Sequence, residues 1–259
     1  LKSLQEDWFR TTLAEDATFE TMEAYIEVLS HFVPYVLQRV VNFTDEAGNT
    51  LLHLAIKKKL WQLVVVLLSK CDSCHTDHFN DLGFTPLMTT AFCISQVKCT
   101  PYPMSVDEQT GLDLLIKKSD PNLLSKNRFG ASALFLAASN RKTDMVSRLV
   151  SAPVHADANL TDSEGNSPLM VAVKRNNWEI VRILVTHADI NLEQKNDDGQ
   201  TAMDIAKENE SCEIALLLFV KHNLQVGLRL CITGQEDAFF NYFSSPFMLT
   251  PINPPNQSQ

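Results

Sequence analysis

The chain has 259 residues, 45% of them apolar and 20% charged, which is the composition of a folded protein and excludes a chain disordered throughout. Its formal net charge of −9 and pI near 5.2 argue against nonspecific binding to nucleic acid or an anionic membrane, which needs clustered Lys and Arg. No run of eighteen apolar residues occurs, so no membrane-inserted helix is expected.

Residues 1–41 read as helices. Trp8, Phe9 and Leu13 give a short amphipathic segment, and Met22, Tyr25, Ile26, Leu29, Phe32 and Val33 then recur at helical spacing. Pro34 breaks that helix, and a last turn or two runs from Tyr35 to Val41. The chain opens on Leu1 rather than Met, so a segment of a longer protein is expected, with no secretory leader ahead of these helices.

From here the sequence states one short phrase five times. The copies begin at Gly48, Gly83, Gly130, Gly165 and Gly199, spaced 35, 47, 35 and 34 residues apart. An Asp or Asn stands three residues ahead of each: Asp45, Asn80, Asn127, Asp162 and Asn196. Two residues after each Gly comes a hydroxyl: Thr50, Thr85, Ser132, Ser167 and Thr201. The Asx residue opens a tight turn, the Gly takes a positive φ, and the hydroxyl caps a helix. Pro86 and Pro168 follow the cap, at the first helical position, where a missing N–H costs nothing. A second apolar helix completes each unit. A period of this length with this turn–helix–turn–helix content is the signature of stacked ankyrin repeats.

The fold expected is therefore all-α: a five-repeat ankyrin solenoid spanning 42–223, with residues 1–41 as its N-terminal helical cap. The repeats run at about 44–76, 79–126, 127–159, 161–193 and 195–223. Repeat two is a dozen residues too long; the surplus lies around Ile94–Asp107, a loop ahead of a second helix near Glu108–Lys118. Residues 224–259 follow no repeat, and this tail is read as partly disordered, although Phe239, Phe240, Tyr242, Phe243 and Phe247 would let it fold back on repeat five. Cys71-Asp72-Ser73-Cys74-His75 matches a haem-attachment spacing, but it falls in an inter-repeat loop and has no second cysteine pair for zinc. The bland reading, loop cysteines, is preferred, and no cofactor or metal is expected.

Two stretches resemble one family in particular. Val41 to His53 is similar to the first repeat of the KANK proteins (KN motif and ankyrin repeat domain), and Asn80 to Ala91 to the second, with an aromatic after the Gly, a Met at the His position and a longer loop following. The helix carrying Trp8-Phe9-Arg10 is also similar, and the resemblance covers residues 5–223. It implies a cytoplasmic adaptor at the cell cortex and cytoskeleton, with a talin-binding KN motif and a coiled coil upstream. It also implies that the ankyrin domain binds a peptide from a kinesin-4 family motor.

Function would then lie on the concave surface formed by turn tips and first helices. The residue after each Gly is read as a tip residue, and Phe84 is the large apolar one among them. Either it packs on a neighbouring tip or it anchors a peptide as an aromatic hot spot. Phe129, Arg128, Asn80, Asn140, Lys174 and Arg175 are the candidate contacts around it. His53 is read as bonding the neighbouring turn, and Trp61 and Trp178 as packing. No nucleophile triad, phosphate loop or His-x-x-x-His is present, so no enzyme is expected. The alternatives are a scaffold of another ankyrin family binding a folded partner, or a non-catalytic subunit of an enzyme complex.

Overall fold

A computed structural model describes residues 2–12, 19–93, 105–151, 156–186 and 189–232. These form thirteen helices and, among the described residues, no strand. Helices α1 (Lys2–Thr12), α2 (Phe19–Phe32) and α3 (Pro34–Val40) come first. Pro34 does end α2, and it also starts α3, where its lost N–H is harmless. Trp8, Ile26, Leu37, Val40 and Val41 are buried, and α2 packs on the second helix of repeat one. The segment closes the N-terminal end of the stack, as a cap must.

Five units follow. Their first helices are α4 (Leu51–Lys57), α6 (Pro86–Phe92), α8 (Ala133–Ser139), α10 (Pro168–Lys174) and α12 (Ala202–Glu208). Their second helices are α5 (Trp61–Lys70), α7 (Val106–Lys118), α9 (Thr143–Ser151), α11 (Trp178–Thr186) and α13 (Cys212–Ile232). Thr85, Ser132, Ser167 and Thr201 each accept a hydrogen bond from the amide three residues on, so the repeated hydroxyl is an N-cap. In repeat one His53 Nδ1 accepts the Thr50 amide instead.

Four helix pairs are joined by only three residues. One of the three takes a left-handed conformation: Lys59, Arg141, Asn176 or Glu210. The amide at the end of the turn then bonds back five residues, as from Leu60 to the Ala55 carbonyl at 2.9 Å. Repeat two differs. Between α6 and α7 lie thirteen residues, 93–105, of which 94–104 fall outside the described residues. Gly111 of α7 faces Trp61, and a Cβ there would meet the indole at 3.1 Å, so Trp61 packs flush on the next repeat.

The tight turns set the spacing of the stack. Gly48, Gly83, Gly130, Gly165 and Gly199 all have φ between +56° and +77°. Each turn donates one backbone hydrogen bond to the turn before it: Asp81 to Ala47, Lys126 to Gly83, Ser163 to Phe129 and Asp197 to Glu164, at 2.9–3.0 Å. Repeat three departs from the spacing read in the sequence. Asp45, Asn80, Asp162 and Asn196 pair with the carbonyl four residues on, but in repeat three Ser125 pairs with Ala131, six residues on. The Ser125 hydroxyl also accepts the Ala131 amide, the role Asp45 Oδ1 plays for Asn49. Asn127 still opens the tight turn, its Oδ1 accepting the Phe129 amide and its carbonyl the Gly130 amide, while the outer pairing lies two residues wider; its Nδ2 donates to the Leu82 carbonyl.

Helix α13 runs nine residues past Asn223, where the repeat was expected to end, and so takes in the start of the stretch read as tail. Leu216, Phe219, Val220 and Leu224 lie exposed on it. The rest of that stretch, including its five aromatic residues, lies outside the described residues.

The turn geometry makes two glycines a matched pair. At Gly83 a Cβ would meet the Asn127 amide nitrogen at 2.6 Å, while at Gly199 it meets nothing within 4 Å. Both substitutions incur left-handed strain, but only the first also pushes two turns apart. Gly83→Ala is expected to destabilise by roughly 3 kcal/mol and Gly199→Ala by about 1 kcal/mol, read by urea unfolding. Equal losses would mean that the close approach at Gly83 is relaxed at no cost.

Candidate functional site

The residue after each Gly does not stand on the tip. Asn49, Phe84, Ala131 and Asn166 are buried, and Phe84 is only 6% exposed. The chain leaves the positive-φ glycine heading back towards the helix, so the next side chain lies over that helix. There it meets the residue eight positions on. Lys57 Nζ donates to Asn49 Oδ1 at 2.7 Å, the rings of Phe84 and Phe92 stack at 5.1 Å, and Gln200 Nε2 donates to Glu208 Oε1 at 2.6 Å. Of the two readings of Phe84 in the sequence, packing is the one its burial fits. The aromatic that reaches solvent at this place is its partner Phe92, 46% exposed.

Phe92 is the residue the sequence reading missed. Counted from the N-cap, it shares its place with Lys57, Ser139, Lys174 and Glu208, all charged or small. A bulky aromatic among these four was the available signal. In repeat three the equivalent pair is Ala131 and Ser139, so small side chains follow directly after the stacked phenylalanines.

The other sequence-chosen residues divide into two sets. Asn80 and Asn140 belong to the frame. Asn80 is buried, its Oδ1 accepting the Phe84 amide at 3.0 Å and its Nδ2 donating to Asn49 Oδ1 at 2.9 Å. Asn140 is half-buried and donates to the Leu136 and Ala91 carbonyls at 2.9 and 3.2 Å, tying repeat three to repeat two. Arg128, Phe129, Lys174 and Arg175 are exposed. The Arg128 guanidinium lies 4.9 Å from the centroid of the Phe129 ring. The widened turn of repeat three carries Phe129 on its tip, beside the turn of repeat four through the Ser163–Phe129 bond. That neighbouring turn contributes Asp162 and Glu164 to a cleft of about 350 Å³, whose other walls are Phe135, Ser139, Val171, Lys174 and Arg175.

A family model of ankyrin repeats, three copies long, matches residues 106–194 and 152–229. The chain is an ankyrin-repeat solenoid. The match takes in the second helix of repeat two and all that follows to Gly227's neighbourhood, and the units before it carry the same turns, caps and helix pairs. The cleft between repeats three and four thus lies in the ankyrin groove between hairpin turns and first helices. Ankyrin stacks are protein–protein interaction modules.

The titratable groups inside the stack take their state from burial. His53 is fully buried; its Nε2–H donates to the Phe84 carbonyl at 3.0 Å while Nδ1 accepts from Thr50. It bonds the neighbouring turn, as its place in the motif implied. Burial pushes its pKa down to about 4, with the Phe84 bond opposing the shift. Burial pushes the Cys71 and Cys74 thiols up to about 11 and 12, away from the thiolate that metal or haem attachment requires. Among the described residues no group of three His, Cys, Asp or Glu side chains could hold a metal ion, and no helix is long and apolar enough to cross a membrane.

His53 makes stability depend on pH with a definite sign. Its folded pKa lies below the unfolded 6.5, so the unfolded chain binds the proton more readily. The stabilisation is complete above about pH 6.5 and is lost as pH falls towards 4, by roughly 3 kcal/mol in all. Urea unfolding at steps across this window should show that slope in the native chain and a flatter one in His53→Gln. Parallel slopes would place the acid sensitivity elsewhere.

Proposed function

We propose that this solenoid is the peptide-binding module of an adaptor, with its contact surface centred on repeats two to four. One observation carries the reading: Phe92, held by its stack on Phe84, presents an exposed ring, and the equivalent pair in the next repeat is the small Ala131 and Ser139. A rigid, exposed aromatic is the kind of side chain that anchors an interface. Phe129 with Arg128 on the tip, and Lys174 with Arg175 at the end of α10, supply the flanking contacts. Phe84 keeps its place in the site as the support of Phe92, and Asn80 and Asn140 hold the turns that frame it.

For the partner we propose a segment of a kinesin-4 family motor, on the strength of the KANK resemblance across Val41–His53, Asn80–Ala91 and the long second repeat. In that reading the protein is cytoplasmic, at the cell cortex, and joins it to the cytoskeleton. A folded partner lying across the whole concave face is the competing reading.

Calorimetric titration with the kinesin-4 peptide separates them. Micromolar binding is expected, about −8 kcal/mol, with Phe92→Ala and Phe129→Ala each weakening it at least about tenfold. Binding that ignores both changes would sink the site and leave the partner. No binding by the folded chain would sink the partner and leave an ankyrin scaffold whose ligand is of another kind.

A further inference from the structure

A second recess lies where repeat two lacks a tight helix–helix turn. In the four regular units the three-residue turns form one edge of the stack, and side chains tie them together. Asn209 donates to the Val173 carbonyl, the Ser211 hydroxyl to Asn176 Oδ1, and Arg141 Nη2 to the Arg175 carbonyl. In repeat two, Thr90 takes the place of Ala55, Ala137, Ala172 and Ala206, whose carbonyls accept the closing amide of the turn. The Thr90 carbonyl instead accepts Lys142 Nζ, at 2.6 Å, from the repeat behind it.

Between the turns of repeats one and three lies a cleft of about 520 Å³, larger than the groove cleft between repeats three and four. Ile56, Trp61, Leu112 and Met145 give it apolar lining. Four cations line it, Lys57, Lys59, Arg141 and Lys142, against two carboxylates, Glu108 and Asp144. It is therefore a locally positive site on a chain of net charge −9. The bonds that Lys57, Arg141 and Lys142 make go to neutral oxygens, of Asn49, Arg175 and Thr90. Hydrogen bonds to neutral acceptors do not neutralise a cation; Glu108 acts on Lys142, and four cations against two carboxylates still leave the cleft positive, where a carboxylate is the stronger partner. The size and mixed lining are those of a ligand site.

We propose that this turn-edge cleft binds an acidic peptide segment, its apolar side chain against Trp61 and Leu112 and its carboxylates on Lys59 and Arg141. The charge of the site selects the ligand class, and the apolar lining favours a peptide over a small free anion. The inference does not rest on the concave-face reading, since it uses none of Phe92, Phe129, Lys174 or Arg175.

The test is fluorescence anisotropy on the full 259-residue chain with a fluorescein-labelled octapeptide alternating Glu-Asp pairs with Leu and Phe. Saturable binding is expected, weakening severalfold as salt rises to physiological strength. Lys59→Glu with Arg141→Glu should weaken it at least about tenfold, and Lys174→Glu with Arg175→Glu should leave it unchanged. Thermal unfolding of each variant confirms the fold; if the first pair does not fold, Lys59→Gln with Arg141→Gln replaces it and should still weaken binding about threefold. A matching peptide with Lys in place of the acids should not bind. Absence of binding, equal binding by native chain and Lys59/Arg141 variant, or loss through Lys174/Arg175 instead, would each overturn the proposal. Because the probe is unrelated to the kinesin-4 peptide, either reading can fail without the other.

Discussion

Everything in this stack is indexed by the approach of one tight turn to the next. Where Gly83 meets Lys126 and Asn127, backbone lies against backbone with no room for a side chain. One amide–carbonyl bond crosses each of these junctions. A bond that short fixes translation and rotation between units, so the apolar faces of the helices arrive in register and the core is continuous. Leu51, Leu52, Leu63, Leu67, Leu87, Leu134 and Leu149, from three repeats, are fully buried in one cluster as a result. The first helices of the repeats are too short to be stable alone; seven residues make two turns, below the length at which an isolated helix persists in water. Their stability comes from neighbours, and the turns decide where the neighbours are.

The periodic part of this was legible in the sequence because each motif residue does a backbone job. Glycine at positive φ, a hydroxyl cap and proline at the first helical position are local requirements, and local requirements leave residues at fixed spacing. What was not legible depends on where a side chain goes after the backbone has turned. Phe84 looked like a tip residue because it follows the turn glycine, yet the chain has already reversed there and its ring points inward to Phe92. Asn127 opens its turn as the motif spacing implied, but the outer pairing that Asp45 also makes has moved to Ser125, a hydroxyl two residues earlier, and only the hydrogen bonds show that division. The length of α13 was misjudged for a related reason. Leu224 to Ile232 carries no Pro, and its one glycine, Gly227, is tolerated inside a helix that packing already supports.

The candidate binding surfaces coincide with departures from the pattern. Repeat two replaces a polar bridge with stacked aromatics; repeat three widens its turn and lifts Phe129 into solvent. The regular positions are occupied with holding the stack: Asn80 and Asn140 spend their hydrogen bonds on neighbouring repeats, and His53 spends both ring nitrogens. A residue engaged in this way has little left for a partner. Function in such an array is therefore sought where the repeat is imperfect and the fold tolerates it.

The connection between α6 and α7 shows how far that tolerance reaches. Lys142 supplies from the next repeat the bond to Thr90 that elsewhere a short turn supplies from within. Repeat two thus takes one of its closing bonds from repeat three. A three-residue turn built on Lys59, Arg141, Asn176 or Glu210 has no such freedom, since one inserted residue would displace the amide that closes it. Length is therefore fixed at four of the five helix–helix joints by the reach of a single amide.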